Sequence, residues 1–417
     1  MATSGNFVQL HNHTHYSLLD GASKIPDLVK RAKELNMPAV GITDHGNMHG
    51  AYEMWSTAVK EGVKPIIGIE AYVTPETARQ DQTRVSWDTN WNPDIDPQHR
   101  RRNPNDVSGG GLITHLTMWA ETDEGLVNLM KASTDANLEG RVMRYPRMDK
   151  EILAKYSKGI IASSGCPSGI IQTRLLLGQF DEALRAAGEL QDIFGRDNFY
   201  IEFMDHGLKI EKQVTDGLLD IAKKLNAPLL ATNDSHYVRA EDAGSQDAML
   251  CINSGSTLDE PGRFKFDGTG YYLKSAEEMR ELFKDIPEAC DNTLEIAERC
   301  NVMFDDHEDG AFMPQFDCPE GWDETSLFLK KVEEGLERRY DGHPPIEVLK
   351  QADYECGVIC QMQFCGYFLV VADYINWAKS HGVMVGPGRG SAAGAMVAYA
   401  MGITELPCLL YTSPSPR

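Results

Sequence analysis

The sequence predicts an α/β protein, a barrel of seven strand–helix units followed by a mainly helical domain. Three observations predict it. Short β-rich runs recur at residues 7–11, 39–43, 65–73, 112–118, 159–163, 198–203 and 228–232, each followed by a helical pattern. Gly and Pro punctuate the turns, as in MPAVG and APLLA. From about Ser275 the alternation gives way to helices.

The helix between the first two runs shows its period directly, with Ile25, Leu28, Val29, Ala32 and Leu35 on one face. Residues 74–111 break the rhythm. They are polar, contain Pro and Asn, carry an HRRRN run and close on SGGG, so they read as an exposed insertion. Its basic run reads as a solvated charge cluster before a nucleic-acid contact. SAEEMRELFKDIPEACDNTLEIAERC reads as two amphipathic helices capped at Ser275. The expected domains are therefore 1–274 and 275–406.

Composition narrows the class. At 417 residues, 42% hydrophobic and 24% charged, the chain has length for two or three domains with real cores. No run of eighteen apolar residues exists and the N-terminus lacks a basic and an apolar signal region, which points to a cytoplasmic protein with no membrane partner. Nine cysteines form no framework; Cys356, Cys360 and Cys365 have no His at metal spacing, so buried, reduced thiols are expected. A net charge of -22 stands against a phosphate-rich partner. Metal ions invert that sign locally where carboxylates and imidazoles cluster.

Such a cluster is written at the strand ends: His11, His13, Asp20, Asp44, His45, Glu70, His115, Cys166, Asp234 and His236. In a barrel of parallel strands the carboxyl ends converge on one face, so residues far apart in sequence share a site. A lone strand-end His is more often a satisfied polar group than a ligand, but here HxH, DHG, GCP and NDSH recur in step with the strands. Imidazole and thiolate suit zinc and carboxylates bridge ions, so the mixture fits a multinuclear Zn2+ or Mn2+ site. Close divalent cations activate water and stabilise both the attacking and the leaving oxygen in phosphodiester displacement. Cys166 reads as a ligand rather than a nucleophile. Asp44 reads equally as an orienting partner of His45 or as a solvated carboxylate.

A second constellation spans residues 366–404. An apolar run reads as a buried helix, and GPGRGSAAG then supplies glycines for close backbone approach, Arg389 for paired phosphate contacts and the Ser391 hydroxyl at the mouth of a following helix. A plain tight turn explains a bare Gly-rich loop as well, and the loop lacks the GK[ST] ending of a Walker motif.

HNHTHYSLLDG, GITDHG, IIGIEAYV, THLT, SSGCPSG and ATNDSHY resemble, in order and spacing, the PHP (polymerase and histidinol phosphatase) domain of C-family bacterial replicative DNA polymerases. YFLVVADYINWAK followed by VGPGRGSAAG resembles the opening of the palm in the same family. The resemblance implies a distorted (βα)7 barrel and then the start of a palm. It implies that His11, His13, Asp20, His45, Glu70, His115, Cys166, Asp234 and His236 bind up to three metals, with Glu70 bridging, for 3′–5′ exonuclease chemistry. Gly388, Arg389, Gly390 and Ser391 are expected to hold a nucleotide triphosphate, with Mg2+ serving synthesis in a longer parent. Implied partners are primer-template DNA and deoxynucleotides, and the sliding clamp and clamp loader through regions not present. After GIT the family continues into paired catalytic aspartates, whereas this chain reads ELPCLLYTSPSPR. Residues 407–417 are therefore read as a truncation artefact, and the chain alone is not expected to polymerise. An exposed apolar surface is expected on the palm part. Two rivals share these residues: a free-standing phosphoesterase, and a metal-bearing scaffold that only braces a polymerase.

Overall fold

Strands buried on both faces organise the first half of the chain. In this computed structural model, which describes residues 6–88, 103, 105–106, 109–304, 315–388 and 390–406, the strands are β1 (Ala39–Ile42), β2 (Lys64–Val73), β3 (Thr114–Ala120), β4 (Arg141–Val142), β5 (Tyr145–Met148), β6 (Ile160–Ser163), β7 (Phe199–Phe203) and β8 (Leu229–Ala231). β1 pairs with β2, β6 with β7 and β7 with β8, all parallel. Residues 7–13 close the ring, bridging to β1 through Gln9–Val40 and to the segment after β8 through Asn12–Ser235. Those seven staves are the seven runs read from the sequence. The short β4–β5 hairpin stands beside the end of β2, with Tyr72 opposite Arg147.

One stave departs from an all-parallel barrel. β3 runs antiparallel to both β2 and β6. Parallel neighbours need a crossover, usually a helix, and the described part of residues 74–113 contains no α-helix. The chain therefore returns as a long hairpin, and His115, at the start of β3, reaches the same mouth as residues at the ends of the other strands.

Helices α1 (Ile25–Glu34), α2 (Ala51–Glu61), α3 (Asp123–Glu139), α4 (Lys150–Tyr156), α5 (Ile170–Leu176), α6 (Phe180–Phe194), α7 (Lys209–Leu225), α8 (Ala243–Ser254), α9 (Ala276–Leu282) and α10 (Pro287–Arg299) complete this unit. α1 buries Ile25, Leu28, Val29 and Ala32 as its period predicts. Inside the ring, Val8, Leu10, Ile66, Trp119, Ile161, Tyr200 and Leu230 form an apolar floor, joined by Ile296 and Ala297 of α10 and by Cys300 just after it. Two residues along the same strand faces lie Thr117, Ser163, Glu202 and Thr232, all buried. Polar groups thus begin one layer above the floor.

α10 corrects the expected domain boundary. The chain divides into compact units Met1–Phe304 and Asp305–Arg417, so residues 275–304 belong with the barrel. Their apolar face plugs its floor, and the Thr293 hydroxyl accepts the Val8 N–H at 3.1 Å. The Ser275 cap is present, with its hydroxyl accepting the Glu278 N–H. The insertion is also less exposed than expected in its described part. Trp87 is buried beneath the Arg174 guanidinium, 4.3 Å from the ring centre, and Arg79 pairs with Asp149. The HRRR run lies outside the described residues.

Just before α9, Lys274 is buried and donates to Asn233 Oδ1 and the Gly270 carbonyl. Burial pulls its pKa down to about 8, against the pull of Glu278, Glu211 and Asp205. Its value in an unfolded chain is about 10.4, so between these values the unfolded state holds more protons and stability rises with pH. Relative to Lys274→Met, the wild type is expected to gain up to about 3 kcal/mol from pH 8 to 10.4. Parallel denaturant curves across that window read the difference, and equal slopes would contradict it.

The second unit packs α11 (Glu324–Arg339), α12 (Ile346–Gln361), α13 (Cys365–Ser380) and α14 (Met396–Ala400) around Phe328, Val332, Leu336, Leu369, Met396 and Val397. α13 is buried on one face only: Leu369 and Ala372 are inside, whereas Tyr367, Tyr374 and Trp377 are exposed, which is the apolar surface expected here. The glycine loop does not open directly into a helix. Ser391–Gly394 is a 3-10 turn, and α14 follows with five residues. Gly388 has φ 128, and a side chain there would place its Cβ only 3.0 Å from Thr404, so no other residue suits it. Arg389 and residues 407–417 lie outside the described residues. Among the described residues no single helix is long and apolar enough to cross a membrane.

Candidate metal centre

The predicted ligands converge at the barrel mouth. Glu70, at 1% exposure, is the hub: its Oε2 lies 2.7 Å from His45 Nδ1 and 3.6 Å from His13 Nε2, and its Oε1 lies 3.1 Å from His115 Nδ1 and 3.5 Å from His11 Nε2. Asp234 Oδ1 is 3.0 Å from His13 Nε2 and 3.4 Å from His11 Nε2. Asp20 reaches His45 Nε2 at 3.0 Å and His236 Nε2 at 3.9 Å. Cys166 Sγ is 3.3 Å from His115 Nδ1. Asp234 holds φ 43, a left-handed conformation that an aspartate tolerates better than most residues.

Three imidazoles are aimed by partners on the ring nitrogen away from the cluster. His11 Nδ1 donates to Glu202 Oε1 at 2.8 Å, His13 Nδ1 to Ser17 Oγ at 3.0 Å, and His236 Nδ1 to the Asp234 carbonyl at 2.8 Å. Each of these bonds leaves Nε2 as the lone-pair side, which suits metal ligation. Ser17 can accept from His13 because its own hydroxyl donates to Asp44 Oδ1 at 2.7 Å, and Asp44 also takes the Thr14 N–H and hydroxyl. Asp44 is thus a buried anchor and not a solvated carboxylate, acting through Ser17 on His13 and on the His45 N–H, which Ser17 Oγ also accepts at 3.1 Å.

The donor set fits divalent cations. Buried atoms without a hydrogen-bond partner include His11 Nε2, His13 Nε2, Asp20 Oδ1, His45 Nδ1, both oxygens of Glu70, Asp234 Oδ1 and His236 Nε2. Leaving so many buried polar atoms unpaired costs about 1–3 kcal/mol each, and a shared cation resolves them together. Among the described residues three groups have ligand atoms within 4.8 Å of one another: His13–His45–His236, His11–His13–Glu70 and His45–Glu70–His115. Any two groups share a residue, so the positions are contiguous.

Electrostatics agree. Burial works to raise the Glu70 and Asp234 pKa values, but the imidazoles around them outweigh it and hold both carboxyls well below the usual range. Burial and the neighbouring His45 and His236 push His13 down to about 3. Burial, then Glu70 and Asp234, push the Cys166 thiol well up, which opposes a free nucleophilic thiolate and leaves it to a cation to displace the proton.

Glu202 was not singled out in the sequence. It is buried at 1% and accepts from His11, the Ser163 hydroxyl and the Thr232 hydroxyl at 2.5 Å. The available signal was a lone carboxylate in the apolar strand FYIEF, which has to find partners when buried. Glu202→Leu is expected to weaken zinc affinity about 10- to 100-fold, as for other outer partners of metal-binding His. Glu202→Gln, which keeps an acceptor for His11, loses less. Chelator competition measures both, and equal affinities for wild type and Leu would contradict the role.

Fold and mouth together define a PHP-type protein, and the PHP domain family model matches residues 9–206. A second family model, bacterial DNA polymerase III alpha NTPase domain, matches residues 326–413. DNA polymerase III subunit alpha of Mycobacterium tuberculosis is 51% identical over 406 residues, covering 97% of this chain and 33% of that protein. The Mycobacterium leprae protein of the same name is 51% identical over 402 residues, 96% of this chain and 33% of its own length. That of Treponema pallidum is 40% identical over 409 residues, 97% and 32%. The chain belongs to the bacterial DNA polymerase III alpha subunit family, and it spans about a third of the length of the curated relatives it matches.

Proposed function

We propose that the barrel is a metal-dependent 3′–5′ exonuclease that removes nucleotides from a DNA primer end within a replicative polymerase alpha subunit. The observation that carries it is the unpaired set of buried donor atoms around Glu70, with every family ligand position filled by a ligand-capable residue. His11, His13, Asp20, His45, Glu70, His115, Cys166, Asp234 and His236 would hold up to three Zn2+ or Mn2+ ions, with Glu70 shared. Bound cations would supply Lewis-acid activation of water and charge stabilisation at the phosphodiester.

The chain's own residues do the positioning. Glu202, Ser17 with Asp44, and the Asp234 carbonyl fix three imidazole tautomers, so the site needs no rearrangement before it binds. No protein nucleophile is required. In the second unit, Gly388, Arg389, Gly390 and Ser391 would contact the triphosphate of an incoming deoxynucleotide in a full-length cytoplasmic polymerase. Mg2+, primer-template DNA, the sliding clamp and the clamp loader belong to that longer protein.

The test is metal content together with digestion of a 3′-labelled mismatched primer, comparing the chain with His13→Ala and Asp234→Ala. Metal-dependent shortening from the 3′ end, abolished by both substitutions, is expected. Bound metal without digestion in Zn2+, Mn2+ or Mg2+ would replace this reading with that of a bracing scaffold. Hydrolysis confined to small monoesters would replace it with that of a phosphoesterase.

A further inference from the structure

A continuous row of rings crosses the mouth of the metal centre. Tyr145 lies edge-on to Tyr72 with centroids 5.0 Å apart, and Tyr72 lies nearly parallel to His45 at 6.0 Å. His45 leads to His236 at 5.9 Å, His236 to Phe266 at 4.6 Å, and Phe266 to Phe264 at 6.1 Å. The row ends in accessible rings at both ends, since Tyr145 is half-buried and Phe264 is 61% exposed. A charge sits at one end: Arg144 places its guanidinium carbon 5.3 Å above the Tyr145 ring. Its Nη1 donates to Asn253 Oδ1 at 2.6 Å, and Asn253 Nδ2 donates to the Leu19 carbonyl at 3.3 Å. The hairpin tip, the end of α8 and the loop after Ser17 therefore meet at one rim.

An exposed phenylalanine alone is ordinary. Accessible rings at the two ends of a row that runs through His45 and His236, with an arginine held over one of them, are a different arrangement. Base–aromatic stacking tolerates any sequence because every base presents a π-face, and a cation nearby pairs with the backbone phosphate. A duplex end offers only its terminal base face, whereas an unpaired strand offers one face per nucleotide.

We infer that this rim grips the unpaired last nucleotides of a DNA strand, with Tyr145 and Phe264 stacking on bases at the two ends of the ring row and Arg144 contacting the phosphate beside Tyr145. The inference rests on the phosphodiester reading above and adds to it the substrate form and the residues that select it.

The experiment is equilibrium binding, by fluorescence anisotropy, of a labelled oligothymidylate whose 3′ linkages are phosphorothioates, to the zinc-loaded full chain. Tyr145→Ala and Phe264→Ala are each expected to weaken binding on the order of tenfold, with Tyr145→Phe retaining it. Arg144→Gln is expected to reduce the salt slope of binding by about one. Melting temperatures taken alongside separate lost stacking from lost folding, and Phe264 is exposed enough for its substitution to be tolerated. Unchanged affinity in both ring variants overturns the inference, as does wild-type binding of a blunt duplex equally tightly. Equal affinity for oligouridylate overturns the commitment to DNA. Digestion of the unmodified oligomer is scored separately, so a failed nuclease reading is distinguishable from a failed rim.

Discussion

Glu70→Gln is expected to strip the chain of bound metal and abolish metal-dependent phosphodiester hydrolysis while leaving the barrel folded. Glutamine matches glutamate in volume, and at 1% exposure the side chain has no room to leave. What changes is charge and denticity. Both Glu70 oxygens lack hydrogen-bond partners and face four imidazoles, and the residue belongs to two of the three groups able to hold an ion. An amide presents one neutral oxygen where two charged ones stood, so both positions are damaged by one substitution. Outer partners of metal-binding His cost about 10- to 100-fold in affinity when lost; a shared ligand is expected to exceed the upper end of that range. Inductively coupled plasma mass spectrometry and chelator competition read the metal, and primer digestion reads the chemistry. A variant with full metal content and wild-type digestion would remove Glu70 from the centre of the site.

The same residue shows why much of the site was legible. Ligand types at the ends of β-rich runs, repeated in step with those runs, are a joint pattern that no single histidine carries. The seven staves were legible for a similar reason: short β-rich runs bounded by Gly and Pro turns are a local signal. What escaped depends on non-local facts. β3 returns antiparallel to β2 after a long insertion whose described part holds no α-helix, a direction that composition does not fix. The placement of α10 is set by the barrel needing a floor, so a change in periodicity at Ser275 marked a change of element and not of domain. Asp44 and Glu202 act through hydrogen bonds to residues 27 to 191 positions away, and no spacing rule reaches that far.

Arg147→Met is expected to be the most destabilising of the substitutions considered. Arg147 is fully buried and has no carboxylate partner within its hydrogen bonds. Its Nε donates to the Gly140 carbonyl at 3.2 Å, Nη1 to Leu112 at 3.3 Å, and Nη2 to Arg79 at 2.7 Å and Asp81 at 2.8 Å. Burial lowers its pKa, although the guanidinium stays charged. Removing a buried charge recovers part of its desolvation cost, and replacing a whole ion pair by apolar groups is often neutral. That offset does not save this variant, because the acceptors are backbone carbonyls that no substitution removes. Methionine leaves the Leu112, Arg79 and Asp81 carbonyls unpaired at about 1–3 kcal/mol each, whereas the Gly140 carbonyl still accepts the backbone N–H of residue 147, and after the desolvation offset a net loss of about 3–5 kcal/mol is expected. The consequence reaches the metal centre. Arg147 ties both ends of the insertion to β5, and β5 pairs with β2 beside Tyr72, two residues beyond Glu70. His115 follows that insertion directly. The variant is therefore expected to melt at lower temperature, to be cut sooner by protease between residues 74 and 113, and to bind less metal even though Arg147 is no ligand. A melting temperature within about one degree of wild type would show that water or neighbouring donors satisfy the three carbonyls, and that the insertion is held by Trp87 and Arg79 instead.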